Sequence, residues 1–275
     1  MQDIDIADLK RISELIYQKY NFDFRNYAMS SFKRRVVRIL ELKRLSPTNL
    51  LKALSETPVF IHEFVDQLTV NVTEMFRDPG FWTILRQEII PTIRATRKRF
   101  KIWHAGCSSG EEVLTMCVLL SEMGILEDVS ITATDLDENM LRRAEAAAYP
   151  IKNMQLNEQN YLSFGGQTNG LQRNYFLQQN GHAIFNRELL SEVAFMRHDL
   201  VTGQVFDTFD LILCRNVMIY FNQGLQNDVL KKFHESLYLN GYLAIGSKES
   251  LIWCDYANRF TMANKEEKVY KKLIA

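Results

Sequence analysis

Nothing in the 275 residues reads as a membrane span. No run approaches 18 uninterrupted apolar residues, and the first ten residues, MQDIDIADLK, are acidic and lack the apolar core of a signal peptide. A chain that is neither secreted nor membrane-spanning is expected, and a cytoplasmic location with it. Net charge is absent too: 33 basic residues balance 33 acidic ones. No overall field therefore draws the chain onto nucleic acid or anionic lipid, and electrostatic recognition has to be local. Cysteine is scarce, and Cys107, Cys117, Cys214 and Cys254 include no Cys-x-x-Cys pair, so neither a disulfide framework nor a zinc site is indicated. The five histidines, His62, His104, His182, His198 and His234, show no metal-ligand spacing, and no metal is expected. With only 12 Gly and 5 Pro against 47% hydrophobic residues, disorder and collagen-like repeats are excluded. The length suffices for a core that needs no covalent staples.

What is present divides the chain in two. Residues 1–70 hold almost no glycine, their apolar positions recur at helical spacing, and Pro47 and Pro58 fall where helix pairs turn. A small helical domain is expected there. After residue 99, β-type runs at 100–105, 129–134, 193–197, 209–214 and 242–246 alternate with helical runs, the pattern of a mostly parallel sheet covered by helices. Residues 71–99 form the link into this second domain, 100–275. Within it, residues 165–187 are rich in Gly, Asn and Gln and carry Asn180-Gly181 between short β-type runs at 173–177 and 182–185. A small antiparallel β insertion is expected there.

The run from Lys101 to Glu112 reads as a strand ending in small residues, Ala105-Gly106-Cys107-Ser108-Ser109-Gly110, and then entering a helix at 113–123. Small residues let a ligand approach the backbone, and the helix start offers free N–H groups. About 25 residues further on, a second strand ends in Thr134-Asp135-Leu136-Asp137, where Rossmann-like folds place a carboxylate on ribose hydroxyls. Glu111 and Glu112 at the helix start would repel a pyrophosphate. The charged end of the ligand should therefore be an amino acid and a cation, which S-adenosylmethionine supplies. The bland alternative is that the glycines only make a tight turn and Asp135 caps the next helix.

Four strings, in order, carry a family resemblance: Asn71-Val72-Thr73-Glu74-Met75-Phe76-Arg77, Ala105-Gly106-Cys107-Ser108-Ser109-Gly110-Glu111-Glu112, Thr134-Asp135-Leu136-Asp137 and Cys214-Arg215-Asn216-Val217-Met218-Ile219-Tyr220-Phe221. The sequence resembles the CheR family, S-adenosylmethionine-dependent methyltransferases that esterify glutamates on bacterial chemoreceptors. The resemblance implies an α/β chain with a small N-terminal helical domain and a class I methyltransferase (Rossmann-like) domain bearing a small antiparallel β insertion. It also implies that Glu111 holds the methionyl ammonium, that Asp135 binds the ribose, and that Ala105, Gly106, Asp199 and Leu200 contribute to the cofactor site, with Asp199 where the family usually has Asn. Asn71, Thr73, Arg215 and Asn216 would line the methionyl and sulfonium side. Arg77 and Tyr220 are the catalytic candidates, Arg77 orienting the acceptor carboxylate and Tyr220 standing beside the methyl group. S-adenosylhomocysteine is the expected product.

Departures from the family pattern carry expectations of their own. Val113-Leu114 stands where the family has Pro and an aromatic, and Gly246-Ser247-Lys248-Glu249 where many members have Gly-His-Ser-Glu. The turn Gln178-Gln179-Asn180-Gly181-His182 is short, as in members that work without a tether to the receptor's C-terminal pentapeptide. Residues 25–44 carry seven basic side chains against the single acid Glu41. On a helix, Phe32, Val36, Ile39 and Leu40 share one face while Arg34 and Arg38 lie opposite. Alone this reads as a solvated face. With the resemblance, Arg34, Arg35 and Arg38 become candidates for docking the acidic helical bundle of a chemoreceptor, by a monomeric enzyme. Two rivals remain: a methyltransferase acting on a small molecule or a non-chemotactic protein, and a non-catalytic module that binds the cofactor or its product.

Overall fold

The computed structural model describes residues 4–68 and 73–273. Four helices come first: α1 (Ile6–Tyr20), α2 (Met29–Lys43), α3 (Pro47–Glu56) and α4 (Phe60–Leu68). Their starts are written locally. Asp5 accepts the Asp8 N–H at 2.7 Å ahead of α1, and Ser46 caps α3 with Pro47 in its first turn. The helix α2 buries Phe32, Val36, Ile39 and Leu40 in a core shared with Leu9, Ile12, Ile16 and Phe64, which leaves Arg34 and Arg38 exposed.

Beyond residue 73 the chain forms α5 (Pro79–Ile84), a π turn (Leu85–Ile89) and α6 (Ile90–Thr96) as one bent helical run. Pro91 has no N–H for the carbonyl four residues back, and the ladder widens just before it. Then come β1 (Phe100–Ala105), α7 (Glu111–Glu122), β2 (Val129–Asp135), α8 (Glu138–Ala146), β3 (Ala148–Pro150), α9 (Met154–Phe164), α10 (Gly170–Tyr175), β4 (Phe176–Gln179) and β5 (His182–Phe185). The chain continues through β6 (Val193–Arg197), β7 (Phe209–Cys214), α11 (Gln223–Glu235), β8 (Leu237–Ile245), β9 (Phe260–Asn264) and β10 (Val269–Lys272).

The main sheet runs β6-β2-β1-β7-β8-β10-β9, parallel from β6 to β8 and antiparallel at β10 and β9. From β1 the chain moves outward through β2 to β6, then returns to β7 on the other side. The crevice for a ligand in such a sheet opens where that order reverses, above the ends of β1 and β7. Both faces are covered, one by α7 and the α5–α6 run, the other by α11, which is why β1 is buried along nearly its whole length.

Four boundaries differ from the sequence reading. The small sheet has three strands, β3-β5-β4, and draws in Ala148–Pro150, well before residue 165. Residues 173–175, expected to open a β-type run, are the end of helix α10, whose Leu171 turns fully into the core while Gly170 lies against the Tyr161 ring, where a Cβ would sit 2.6 Å from Cε1. The strand expected at 242–246 starts at Leu237: Phe209 pairs with Leu237 and Leu211 with Tyr242, and the extra residues are absorbed around Asn240 at φ 66°. Helix α7 begins at Glu111, two residues early. The basic run at 94–101 lies at the surface, where Arg94 pairs with Asp128, Arg97 with Asp210 and Lys101 with Asp207. No described helix is long and apolar enough to cross a membrane.

Candidate active site

A cleft enclosing about 1210 Å³, part of it open to solvent, lies above the ends of β1, β2, β6 and β7. The helical domain and residues 73–77 close its other side. The turn after β1 is held by Gly106 and Cys107, whose N–H groups both reach the Thr134 carbonyl at 2.8 Å. Gly106 is required here: φ is +81° and an added Cβ would meet Val217 Cγ2 at 2.7 Å. Phe76, Asp78, Ser108 and Asn216 all adopt positive φ around the same cleft. Non-glycine residues hold that conformation only when their surroundings enforce it, and such strain concentrates at functional sites.

Asp135, at the end of β2, accepts the N–H groups of Ser108 at 2.8 Å and Asp137 at 2.9 Å, and its burial pushes its pKa up. The helix-capping role belongs to Asp137, which takes the Asn139 N–H at 2.8 Å. Asp135 is thus left at a strand end facing the cleft. Asp199 also lines the cleft, and as in Asp135 each of its oxygens accepts one local bond, here from the Val201 N–H and the Thr202 hydroxyl, both at 2.8 Å.

Two arginines on the wall differ in state. Arg215, with its side chain 2% exposed, donates to Glu112 at 3.0 Å and Asp78 at 2.6 Å and lies 4.1 Å from the Phe81 ring centroid. Its charge is compensated inside the protein, and it ties the residue after Arg77 to helix α7. Burial pushes the Glu112 carboxyl up, but His104, 3.1 Å away, and Arg215 together bring it below its ordinary range. Arg77 is held far less: its Nε is 3.9 Å from Glu74, and the side chain is 36% exposed. Tyr220 stands nearby, its phenol raised by burial against the pull of Arg35, Arg34 and Arg77. It is a protonated hydroxyl in a cationic corner.

Of the residues singled out from sequence, Thr73, Arg77, Gly106, Asp135, Asp199, Leu200, Arg215, Asn216 and Tyr220 line one cleft, and Arg35 joins them from α2. Arg34 and Arg38 lie exposed on α2. Ala105 is buried at the end of β1, off the wall. Asn71 lies outside the described residues. Glu111 is buried just behind the wall, with Glu112 in front. The sequence reading missed Tyr27, Ser31, Ser108, Glu112 and His198 among the lining residues. Ser108 and Glu112 sit inside strings that were recognised. Tyr27 carries no local signal, because only tertiary docking brings it there.

Glu111 has Ser109 Oγ at 2.7 Å but no cation among the described residues, and burial lifts its pKa to about 7. A buried carboxyl without a cation suits an ammonium group, whereas Glu112 already has Arg215. In the empty protein Glu111 keeps a proton that the unfolded chain releases, so its contribution to stability is lost as pH rises from 4.5 towards 7. An arriving ammonium favours the ionised form and expels that proton. Affinity for S-adenosylhomocysteine should therefore rise about tenfold between pH 6 and pH 8, and Glu111→Gln should bind weakly with a flat profile. Titration calorimetry at both pH values checks this, and a flat wild-type profile would send the ammonium to another group.

The same chain has recognisable relatives. Residues 71–269 match the family described as CheR methyltransferase, SAM binding domain, and residues 7–69 match CheR methyltransferase, all-alpha domain. A protein of Pseudomonas putida named as a methyltransferase, Cher3, is 39% identical over 266 residues that cover 96% of both chains. A chemotaxis protein methyltransferase of Listeria innocua is 30% identical over 254 residues, 90% of this chain and 93% of that one. One of Vibrio cholerae is 33% identical over 195 residues, 68% and 67% of the two chains.

Proposed function

From the premise that this chain belongs to the CheR family of S-adenosylmethionine-dependent methyltransferases, we propose that it methylates glutamate side chains in the acidic helical bundle of a chemoreceptor. The carrying observation is that one cleft holds both a strand-end carboxylate, Asp135, and a thinly compensated guanidinium, Arg77. The first suits the donor and the second an acceptor carboxylate. Asp135 would hold the ribose hydroxyls, Glu111 the ammonium from behind the wall, Thr73 and Asn216 the methionyl side, and Asp199 and Leu200 the adenine. Bound there, S-adenosylmethionine supplies an activated methyl on sulfur.

Arg77 holds the incoming carboxylate, and Tyr220 donates to it or walls the methyl path. The carboxylate oxygen forms the new bond to the methyl carbon as the carbon–sulfur bond breaks, leaving a methyl ester and S-adenosylhomocysteine. A glutamate is already ionised at pH 7, so no residue has to take a proton. The chain's contribution is positioning and desolvation of the nucleophile. Arg215 is a positioning residue: its bonds to Asp78 and Glu112 fix the segment that bears Arg77.

Arg34 and Arg35 lie beside Tyr220 and Arg38 is exposed further along α2, a basic surface suited to an acidic helical one. The short turn between β4 and β5 fits recognition without a receptor tail. A monomeric enzyme in the cytoplasm follows from this reading. Exposed charges are screened within about 10 Å at 0.1 M salt, so receptor methylation should fall steeply with added salt while binding of S-adenosylhomocysteine barely responds. Replacing the three arginines by alanine should raise the KM for receptor and flatten the salt dependence. Wild-type kinetics from that variant at low salt would move the acceptor to a small molecule or to a protein that docks elsewhere.

A further inference from the structure

The segment between α1 and α2 does more than connect helices. The Ala28 N–H donates to the Tyr220 carbonyl at 2.8 Å and the Asn222 N–H to the Asn26 carbonyl at 2.9 Å, an isolated antiparallel bridge pairing Tyr27 with Phe221. This stitch joins the helical domain to the loop that carries Tyr220. Between its two bonds the Tyr27 side chain enters the cleft. Its ring is wedged 5.0 Å from Phe24, in the helical core, and 5.3 Å from Phe221, across the junction. Its phenol is buried and kept protonated, first by desolvation and then by the carboxylates of Asp199 and Asp135. Those are the two acids assigned above to the nucleoside end of the donor. An aromatic ring on the cleft wall, held by edge contacts from both sides of the junction and beside two ligand carboxylates, is the kind of surface against which a flat nucleoside rests.

We propose that Tyr27 is a binding residue for the nucleoside of the donor, contributed by the helical domain, and that the 26–28 stitch couples donor binding to docking of the two domains. The proposal rests on the methyltransferase reading, because it takes Asp135 and Asp199 as the nucleoside end. The ring supplies the contact area and the stitch fixes its position. Filling the cleft with the nucleoside adds contacts on a residue whose place depends on the stitch, so the two bonds should open less often when the donor site is full. The helical domain then contributes to both substrates, through Tyr27 to the donor and through Arg35 to the acceptor.

Amide hydrogen exchange and titration calorimetry with S-adenosylhomocysteine test this on the full chain. In the wild type, saturating ligand should slow exchange at Ala28 and Asn222 at least about fivefold, along with the Ser108 and Asp137 amides that bond Asp135. Tyr27→Phe keeps the ring and should bind within about threefold of wild type. Tyr27→Ala should bind about tenfold or more weakly, the loss of one aromatic contact face. In that variant protection should persist at Ser108 and Asp137 and disappear at Ala28 and Asn222. A variant that unfolded would lose the Ser108 and Asp137 protection as well, and the wild-type exchange data would then decide alone. Protection confined to Ser108 and Asp137 in the wild type, or unchanged affinity in folded Tyr27→Ala, overturns the proposal while leaving the methyltransferase reading intact. Failure of the wild type to bind the ligand overturns both.

Discussion

Replacing Arg77 by alanine is expected to lower methyl transfer to a glutamyl acceptor by about 100-fold or more while changing affinity for S-adenosylhomocysteine by no more than about threefold. The reason lies in what each wall residue already holds. Arg215 spends its guanidinium on Glu112, Asp78 and the Phe81 ring, so little of it is left for a ligand. Among the described residues Arg77 has only Glu74, at 3.9 Å, and it remains partly exposed on the wall. A carboxylate entering beside it gains a charge-assisted bond and a fixed direction of approach. Losing both removes alignment with the methyl carbon, which acts on the chemical step and on KM for the acceptor. Arg77→Lys keeps the charge without the planar fork and should recover only part of the rate. Initial rates and calorimetry on the same preparations separate the two effects. Turnover that survives within a few-fold while donor binding collapses would assign Arg77 to the donor.

Asp135 is the counterpart on the donor side. Asp135→Ala should weaken S-adenosylhomocysteine by about 1.5 to 3 kcal/mol, the range for a hydrogen bond to a charged group. The alanine variant also leaves the N–H groups of Ser108 and Asp137 without the acceptor they have at 2.8 and 2.9 Å, so a lower melting temperature should accompany it. Asp135→Asn keeps an acceptor of nearly the same shape and separates lost charge from lost loop geometry. Unchanged calorimetric affinity in both variants, with the fold retained, would remove Asp135 from the site.

Legibility in the sequence followed locality. The strands at 100–105 and 209–214 lie where their apolar runs lie, because in the covered centre of the sheet the run itself is the strand, and the edge strand at 193–197 keeps its bounds although it is half exposed. The amphipathic face of α2 was equally plain, since 3.6-residue spacing separates Phe32 and Val36 from Arg34 and Arg38. Residues at strand ends, Gly106, Asp135 and Asn216 among them, were visible because short strings fix their local geometry. Tyr27 was not visible as a wall residue, and Arg35 was visible only as a docking candidate: both reach the cleft from the helical domain, and nothing in their neighbouring sequence records that docking. The start of β8 was hidden for a related reason. Its irregular pairing with β7 interrupts the alternation that marks a strand.

Glutamate esterification is tested most directly by its product. Incubated with methyl-labelled S-adenosylmethionine and membranes bearing chemoreceptors, the protein should place label on a receptor band, and mild alkali should release that label as methanol, as a carboxyl methyl ester requires. Arg77→Ala should leave the band almost unlabelled under the same conditions. Label that resists alkali, or that appears on a small molecule with the receptors unlabelled, would contradict glutamate methylation at this site.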